Sequence, residues 1–531
     1  MPKPSPKSKT PVQKKYRFRL LIAGFCIAAI IVGAALLIRY WPFSRDAMLQ
    51  LLSENTDSQV TVGSFQETYF PSPGCVLQDV VFNHDPAAAN PFITIKKLTI
   101  QGSYRGLLAR RVPSIVVEGL RIAVPALGTG RQFHIKESHF TIDELMADGA
   151  VIEYAAHASD HRQLLFEIHQ ATMRHAGWFQ PFSFAVKIHN PEPSAELSLA
   201  GMFGTWKQSD AGATPISGHY ILQDADLSIY RGIAGTFSSA GSFGGSLSHI
   251  EITGTTDAPD FAIRTKGHAM RLTAQFSASL DMTRGNAFLQ HADIDFLKTQ
   301  ITAMQVTATQ FTANGGTAKP EKEESQTTSI DLTSTNARIQ DILRLLITSD
   351  SPPMSGWVTF RGRAEIPSGT EEFLKRVRLR GEFGIAAGTF GNSSTQRQID
   401  KLSAGARGEK TSDAGLVLSN LKGRESLADG VATFSDISFH VPGADATMRG
   451  TYNVIRDQID LHGQLRVDTK IANTKSGVKN LALKVIQPFF KKNRNGQIVP
   501  VRISGTYDHP AFGLDIGDKR AQTPTPPKSS Q

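Results

Sequence analysis

Along most of this chain the apolar positions recur at every second residue. In residues 356–367 (GWVTFRGRAEIP), Val358, Phe360, Ala364 and Ile366 alternate with Thr359, Arg361, Arg363 and Glu365. In 376–386 (RVRLRGEFGIA), Val377, Leu379, Phe383 and Ile385 alternate with Arg376, Arg378, Arg380 and Glu382. A period of two sends successive side chains to opposite faces, so each segment predicts a strand with one apolar and one charged face. Later, Ile459, Leu461, Leu465 and Val467 alternate with Asp460, His462, Gln464 and Arg466. Met448, Tyr452 and Val454 alternate before them, and Arg456–Asp457–Gln458 between the two runs predicts the turn of an antiparallel hairpin. Val499, Val501 and Ile503 repeat the theme.

Helical spacing is rare. Residues 44–56 predict a short helix capped by Ser44, and Asn336–Leu346 places Ile339, Ile342, Leu343 and Leu346 on one helical face. Leu481–Ile486 predicts another, stopped by Pro488. The glycine-rich run 241–246 (GSFGGS) lacks the lysine of a phosphate loop and reads as a turn. Residues 313–330 read as a flexible loop, and 517–531 as a disordered tail.

Strands scattered over more than 400 residues thus have an apolar face and no series of helices to cover it. Such a face meets another sheet, curls onto itself, or meets something other than protein. A string of closed β-sandwiches and a bent sheet with an apolar concave side both satisfy the pattern.

Charge and cysteine change the picture at the N-terminus. Of the formal net charge of +9, seven units belong to Lys3, Lys7, Lys9, Lys14, Lys15, Arg17 and Arg19, which leaves a nearly neutral body. That body carries no electrostatic footprint for nucleic acid. Leu20–Ile38 then runs without a charge, long enough at 1.5 Å per residue to cross about 28 Å of bilayer core. Basic residues before it and the pattern Arg39–Tyr40–Trp41 after it predict a retained single-pass anchor, 1–19 cytoplasmic and the body outside. The apolar run is too long for a signal-peptide core and no small-x-small cleavage site follows. Beyond Cys26 in the anchor, the body has one cysteine, Cys75, so no internal disulfide is available and the thiol is expected to act as a small buried hydrophobe.

Candidate sites follow from the pattern. Val358, Phe360, Ile366, Val377, Leu379, Phe383, Ile459, Leu461, Leu465 and Val467 are the apolar-face residues that would line a groove, or equally the core of a sandwich. Leu481, Val485, Phe489, Phe490, Lys491 and Lys492 combine an apolar stretch with basic charge and would touch an anionic membrane or a partner, or plug the end of the sheet. Glu153, His157, Asp160 and His161 cluster in sequence but fall in a polar loop between two strands, so no metal is expected. No G-x-S-x-G elbow occurs, and nothing suggests an enzyme or a cofactor.

Several stretches resemble the AsmA family of bacterial envelope proteins, particularly its smaller members. The post-anchor stretch 60–82 (VTVGSFQETYFPSPGCVLQDVVF) resembles that family's strand, proline-containing bend and second strand. Residues 91–125 (PFITIKKLTIQGSYRGLLARRVPSIVVEGLRIAVP) resemble its next two strands, joined by a leucine-containing helical turn. Residues 432–468 and the closing 498–516 (IVPVRISGTYDHPAFGLDI) are similar to its C-terminal AsmA-like region. The resemblance covers roughly 16–125 and 375–516 and lies in the order of moderate signals. It implies a mainly β fold: a transmembrane helix (20–38), then an elongated, twisted antiparallel sheet curled into a U-shaped hydrophobic groove with few short helices. Its N-terminal part would occupy 44–312 and its C-terminal AsmA-like part 331–516. It further implies an inner-membrane protein with a periplasmic body that binds or conducts phospholipid and supports outer-membrane upkeep. Phospholipids, the inner membrane, and outer-membrane or envelope proteins are the implied partners. A scaffold for assembling envelope proteins is the other function open to the same parts.

Overall fold

The computed structural model describes residues 41–515 other than 57, 84–92, 125–140, 155–163, 178, 192, 208–209, 231, 264–266, 282–285, 306–308, 311–326, 348–350, 368–370, 408, 410–414, 468–496 and 507–509. The chain is mainly β with few helices, and its pairings are antiparallel. It divides into two units, one of residues up to 123 with 131–151 and 172–178, the other of the remainder.

In the first unit, α1 (Arg45–Thr56) leads into β1 (Gln59–Thr68), β2 (Gly74–Asn83) and β3 (Ile93–Gln101), then α2 (Tyr104–Ala109) and β4 (Arg111–Val124). β1 pairs with β2, β2 with β3 and β3 with β4. The strand, bend, strand and helical-turn sequence expected of 60–125 is therefore present. The helical turn forms because Ser103 Oγ accepts from the Gly106 amide at 2.9 Å and Arg110 adopts the left-handed C-cap conformation. Leu77, Val80, Ile95, Leu98 and Val117 are buried on this sheet, as is Met48 of α1. Cys75 is 1% exposed and burial pushes its thiol up to about 12, so it is the inert hydrophobe expected of it.

β5 (Thr141–Tyr154) and β6 (Leu164–Ala176) contribute residues to both units. The second unit continues with β7 (Phe182–Pro191), β8 (Ser194–Phe203), β9 (Pro215–Asp226), β10 (Ile233–Ala234), β11 (Thr236–Ser246), β12 (His249–Ile263) and β13 (Met270–Asp281). Next come β14 (Asn286–Phe296), β15 (Thr299–Gln305), β16 (Thr309–Gln310), β17 (Thr327–Arg338), α3 (Ile339–Leu346), β18 (Met354–Pro367), α4 (Phe373–Arg376) and β19 (Arg378–Phe390). The last elements are α5 (Ser393–Ala406), β20 (Ser419–Ala428), β21 (Val431–Val441), β22 (Ala444–Asn453), β23 (Gln458–Val467), β24 (Gln497–Thr506) and β25 (Pro510–Leu514). From β7 to β25, apart from the two-residue β10 and β16, each strand pairs with the next in an antiparallel meander. Among the described strands β25 pairs with β24 alone, so the order stays open rather than closing into a barrel.

This sheet is curled. Ile263 at the end of β12, Leu374 of α4 and Val454 after β22 are buried in one cluster, with Leu346 and Phe373 packed against it. Along the hydrogen-bonding order β12–β13–β14–β15–β17–β18 and on to β22, nine steps at about 4.8 Å would hold β12 and β22 about 43 Å apart in a flat sheet. A shared cluster of three side chains requires the sheet to turn back on itself. The closure is made by backbone as well: the His268 amide donates to Arg344 O at 2.9 Å, and Gly232, at φ +94°, lies so close to the Phe373 amide that a Cβ there would be 2.9 Å away.

Several expectations need correction. The 241–246 run is the end of β11, not a turn. Aromatic rings lie against glycines here: a Cβ on Gly241 would meet Tyr220 Cε1 at 2.8 Å, and one on Gly218 of the paired β9 would meet Phe243 Cζ at 2.7 Å. The helix expected from Asn336 begins at Ile339, because β17 runs through Arg338 and pairs Ala337 with Val358. The last residues of the 313–330 loop, 327–330, are strand, and β15 pairs with β17 across it, so it is a connection within one sheet. The turn is 454–457 rather than 456–458: Val454 leaves the strand, Asp457 takes the left-handed conformation and Gln458 opens β23 opposite Asn453. The anchor 20–38, the segment 481–492 and the tail 517–531 lie outside the described residues. Among the described residues no helix is long and apolar enough to cross a membrane.

Candidate functional site

Strand register decides which side chains share a face. In antiparallel pairs directly opposed residues point the same way, and the pairs 358↔385, 360↔383 and 364↔379 join β18 to β19. The face continues through 379↔427, 383↔423 and 385↔421 into β20. At the other side, 446↔465, 450↔461 and 452↔459 join β22 to β23, and 461↔503 and 465↔499 join β23 to β24. Val358, Phe360, Ile366, Leu379 and Phe383 thus share the apolar face of β18–β19, and Ile459, Leu461, Leu465 and Val467 that of β23. Val377 is buried just ahead of β19.

The opposite face is ionic. Arg363 Nε contacts Asp331 Oδ1 at 2.7 Å, Arg424 reaches Glu382 at 3.0 Å, and Arg502 reaches Asp460 at 2.9 Å. Those arginines hold the Asp331 and Asp460 carboxyls below their usual range through direct hydrogen bonds.

Two helices cover part of the apolar face. α3 lays Ile339, Ile342 and Leu343 against Ala337, Met354, Val358 and Ile385. Asp341 in its first turn is buried and accepts from the Lys298 amide (3.0 Å) and Thr299 Oγ1 (2.9 Å), which fixes the helix to the β14–β15 turn. α5 brings Ile399, Leu402 and Ala406 onto Val441, Ala444, Ala446 and Leu465. Val441, packed with α5, is 0% exposed, and Val499, opposite Leu465 on β24, is 1% exposed. Farther along the same strands Leu379, Phe383, Phe434, Ile459, Leu461 and Ile503 are only half-buried. Phe383 and Phe434 meet edge to face with centroids 6.0 Å apart. The face therefore passes from a sealed core into an incompletely covered apolar surface.

One carboxyl interrupts that surface. Along β20, Lys422, Arg424 and Ser426 take the ionic parity while Leu421, Gly423, Glu425 and Leu427 take the apolar one. Glu425 sits opposite Phe434, and burial alone pushes its carboxyl up to about 7. The sequence signal was available, a Glu on the apolar parity of an alternating run, but it stands out only once the register is known. α5 was missed as well. SSTQRQIDKLSAGA has few apolar residues, and its helix is tied down by buried polar groups: Asp400 accepts from the Val417 amide (2.9 Å) and Gln396 Nε2 (2.8 Å). Of the sequence cluster at 153–161, Glu153 lies on β5 and the other three lie outside the described residues, as do Leu481, Val485, Phe489, Phe490, Lys491 and Lys492. No family model, curated protein or solved structure matches the chain.

Proposed function

We propose that this is a non-enzymatic, membrane-anchored envelope protein that holds phospholipid acyl chains on the apolar face of its curled sheet and so aids lipid transport to, or upkeep of, an outer membrane. The observation that carries this reading is the half-covered face of β19–β24, a run of Leu, Ile and Phe side chains continuous with a sealed core and, among the described residues, only half-buried beyond it. Each methylene moved from water onto such a face is worth about 0.8 kcal/mol, and contacts of this kind have no fixed register, so a chain can slide. The uncharged run 20–38 behind a basic leader supports an inner-membrane anchor with the body on the periplasmic side. The likeness of 16–125 and 375–516 to AsmA-type proteins supports the lipid assignment over a protein scaffold.

The test is a photo-crosslinking amino acid placed, one position at a time, at Phe434 or Leu461 on the apolar face and at Thr451 or Arg449 on the opposite face of the full chain in cells. Phospholipid adducts from the first pair and none from the second are the expected result. Protein adducts from Phe434 and Leu461, with no lipid, would replace this reading with the scaffold.

A further inference from the structure

On the ionic side of the second unit, away from the apolar face, three strands bring two imidazoles and a carboxylate together. His169 of β6, His189 of β7 and Glu196 of β8 place one ligand atom each within 4.8 Å of one another. His189 Nδ1 is 2.8 Å from Glu196 Oε1, His169 Nε2 is 3.6 Å from Glu196 Oε2, and the imidazole centroids are 6.4 Å apart. The register 189↔196 seats His189 and Glu196 side by side on adjacent strands, so strand pairing itself holds two of the three groups.

We propose that His169, His189 and Glu196 form a binding site for one divalent transition metal ion, with Zn²⁺ the species best matched to it. The argument is geometric. Ligands about 2.0–2.1 Å from a tetrahedral zinc lie about 3.3 Å from each other, and the two measured separations to the carboxylate bracket that value. Two imidazoles and one carboxylate are a borderline-soft set, which suits zinc and not calcium or magnesium, and leave a fourth position for water. The free nitrogen of His189 is also accounted for: Ser194 Oγ is 3.4 Å from His189 Nε2, a contact that leaves Nδ1 facing the cluster. The same atoms spell a Ser–His–carboxylate line. A nucleophilic relay nevertheless needs an acid dedicated to one imidazole and buried with it, whereas Glu196 is exposed and shared by two.

This site would clip β6, β7 and β8 together at solvent-accessible side chains. None of these three ligands stands in an H-x-x-x-H or C-x-x-C spacing, because they come from three strands and converge only in the folded sheet. The chain has 15 histidines, so the test must separate this site from adventitious ones. Full chain stripped with EDTA is titrated with Zn²⁺ against a chromophoric chelator, and Co²⁺ is used as a spectroscopic probe of coordination. One equivalent is expected to bind with a tetrahedral Co²⁺ visible band. H189A and E196Q, both changes at accessible side chains, are expected to weaken that equivalent by about 100-fold or more and remove the band. His249→Ala, at an exposed His249–Glu251 pair of 2.7 Å, is expected to leave both unchanged. No uptake, or uptake indifferent to H189A and E196Q, would overturn the proposal.

Discussion

At the scale of the residue, Glu425 is the most informative position because its setting opposes its charge. Its carboxyl is raised from the ordinary 4.5 to about 7 by burial, so the folded state holds the proton more tightly than the unfolded chain does. The sign follows: Glu425 carries no penalty below about pH 4.5, and stability falls as pH rises to about 7, where ionisation begins to cost the folded state in full. The cost above that pH is about 2–3 kcal/mol. Glu425→Gln is therefore expected to raise the urea midpoint of the full chain clearly at pH 8 and much less at pH 5. An equal gap at both pH values would show that ionisation is not the source. Its neighbours Lys422 and Arg424 take the charged parity of β20. The sequence hid the parity of Glu425, since the strand around it contains only Leu421 and Leu427 as strong apolar markers.

At the scale of the element, strands were readable and their covers were not. Alternation at 358–366, 377–385 and 459–467 found β18, β19 and β23 and assigned their faces, because a half-buried strand has to repeat at two. α5 escaped the same logic. Its attachment is polar, with Gln396 Nε2 also donating to Val417 O at 3.0 Å and Ser403 Oγ to Pro442 O at 2.7 Å, and such bonds leave no hydrophobic period to read. These buried bonds and the surface ion pairs make opposite predictions for similar-looking changes. Asp400→Ala strands the Val417 amide without its acceptor and is expected to cost about 1–3 kcal/mol in chemical denaturation. Arg424→Ala breaks contacts to Glu382 at 3.0 Å and Asp436 at 3.6 Å, yet both pairs are solvent-exposed, and its expected cost is below about 1 kcal/mol. Equal losses would mean that α5 is not held by its carboxylate.

At the scale of the molecule the deciding property of the second unit is its curl, and alternation says nothing about curl. Bending comes from interruptions in the ladder: register shifts between Ala258 and Phe261, Ser334 and Ala337, Ile385 and Gly388, and Phe434 and Ile437. Each adds local twist to a sheet that is already twisted. Few carry a sequence mark; at the third, Ala387 takes φ +53° although nothing about an alanine announces it. The curl makes a prediction that a flat sheet cannot share. Ile263 and Leu374 lie in one buried cluster, although β12 and β18 are five hydrogen-bonded steps apart, about 24 Å across a flat sheet. Groups that far apart contribute additively to stability within about 0.5 kcal/mol, whereas members of one cluster couple by about 0.5–3 kcal/mol. A double-mutant cycle of Ile263→Ala and Leu374→Ala, read by denaturant unfolding of the full chain, is expected to show the coupling. The combined loss should differ from the sum of the single losses by at least about 1 kcal/mol, because the first truncation already loosens what the second removes. Strict additivity would mean that the sheet does not close at this point, and the apolar face of β19–β24 would then be a flat surface open to any apolar partner, with nothing to shape it around a lipid chain.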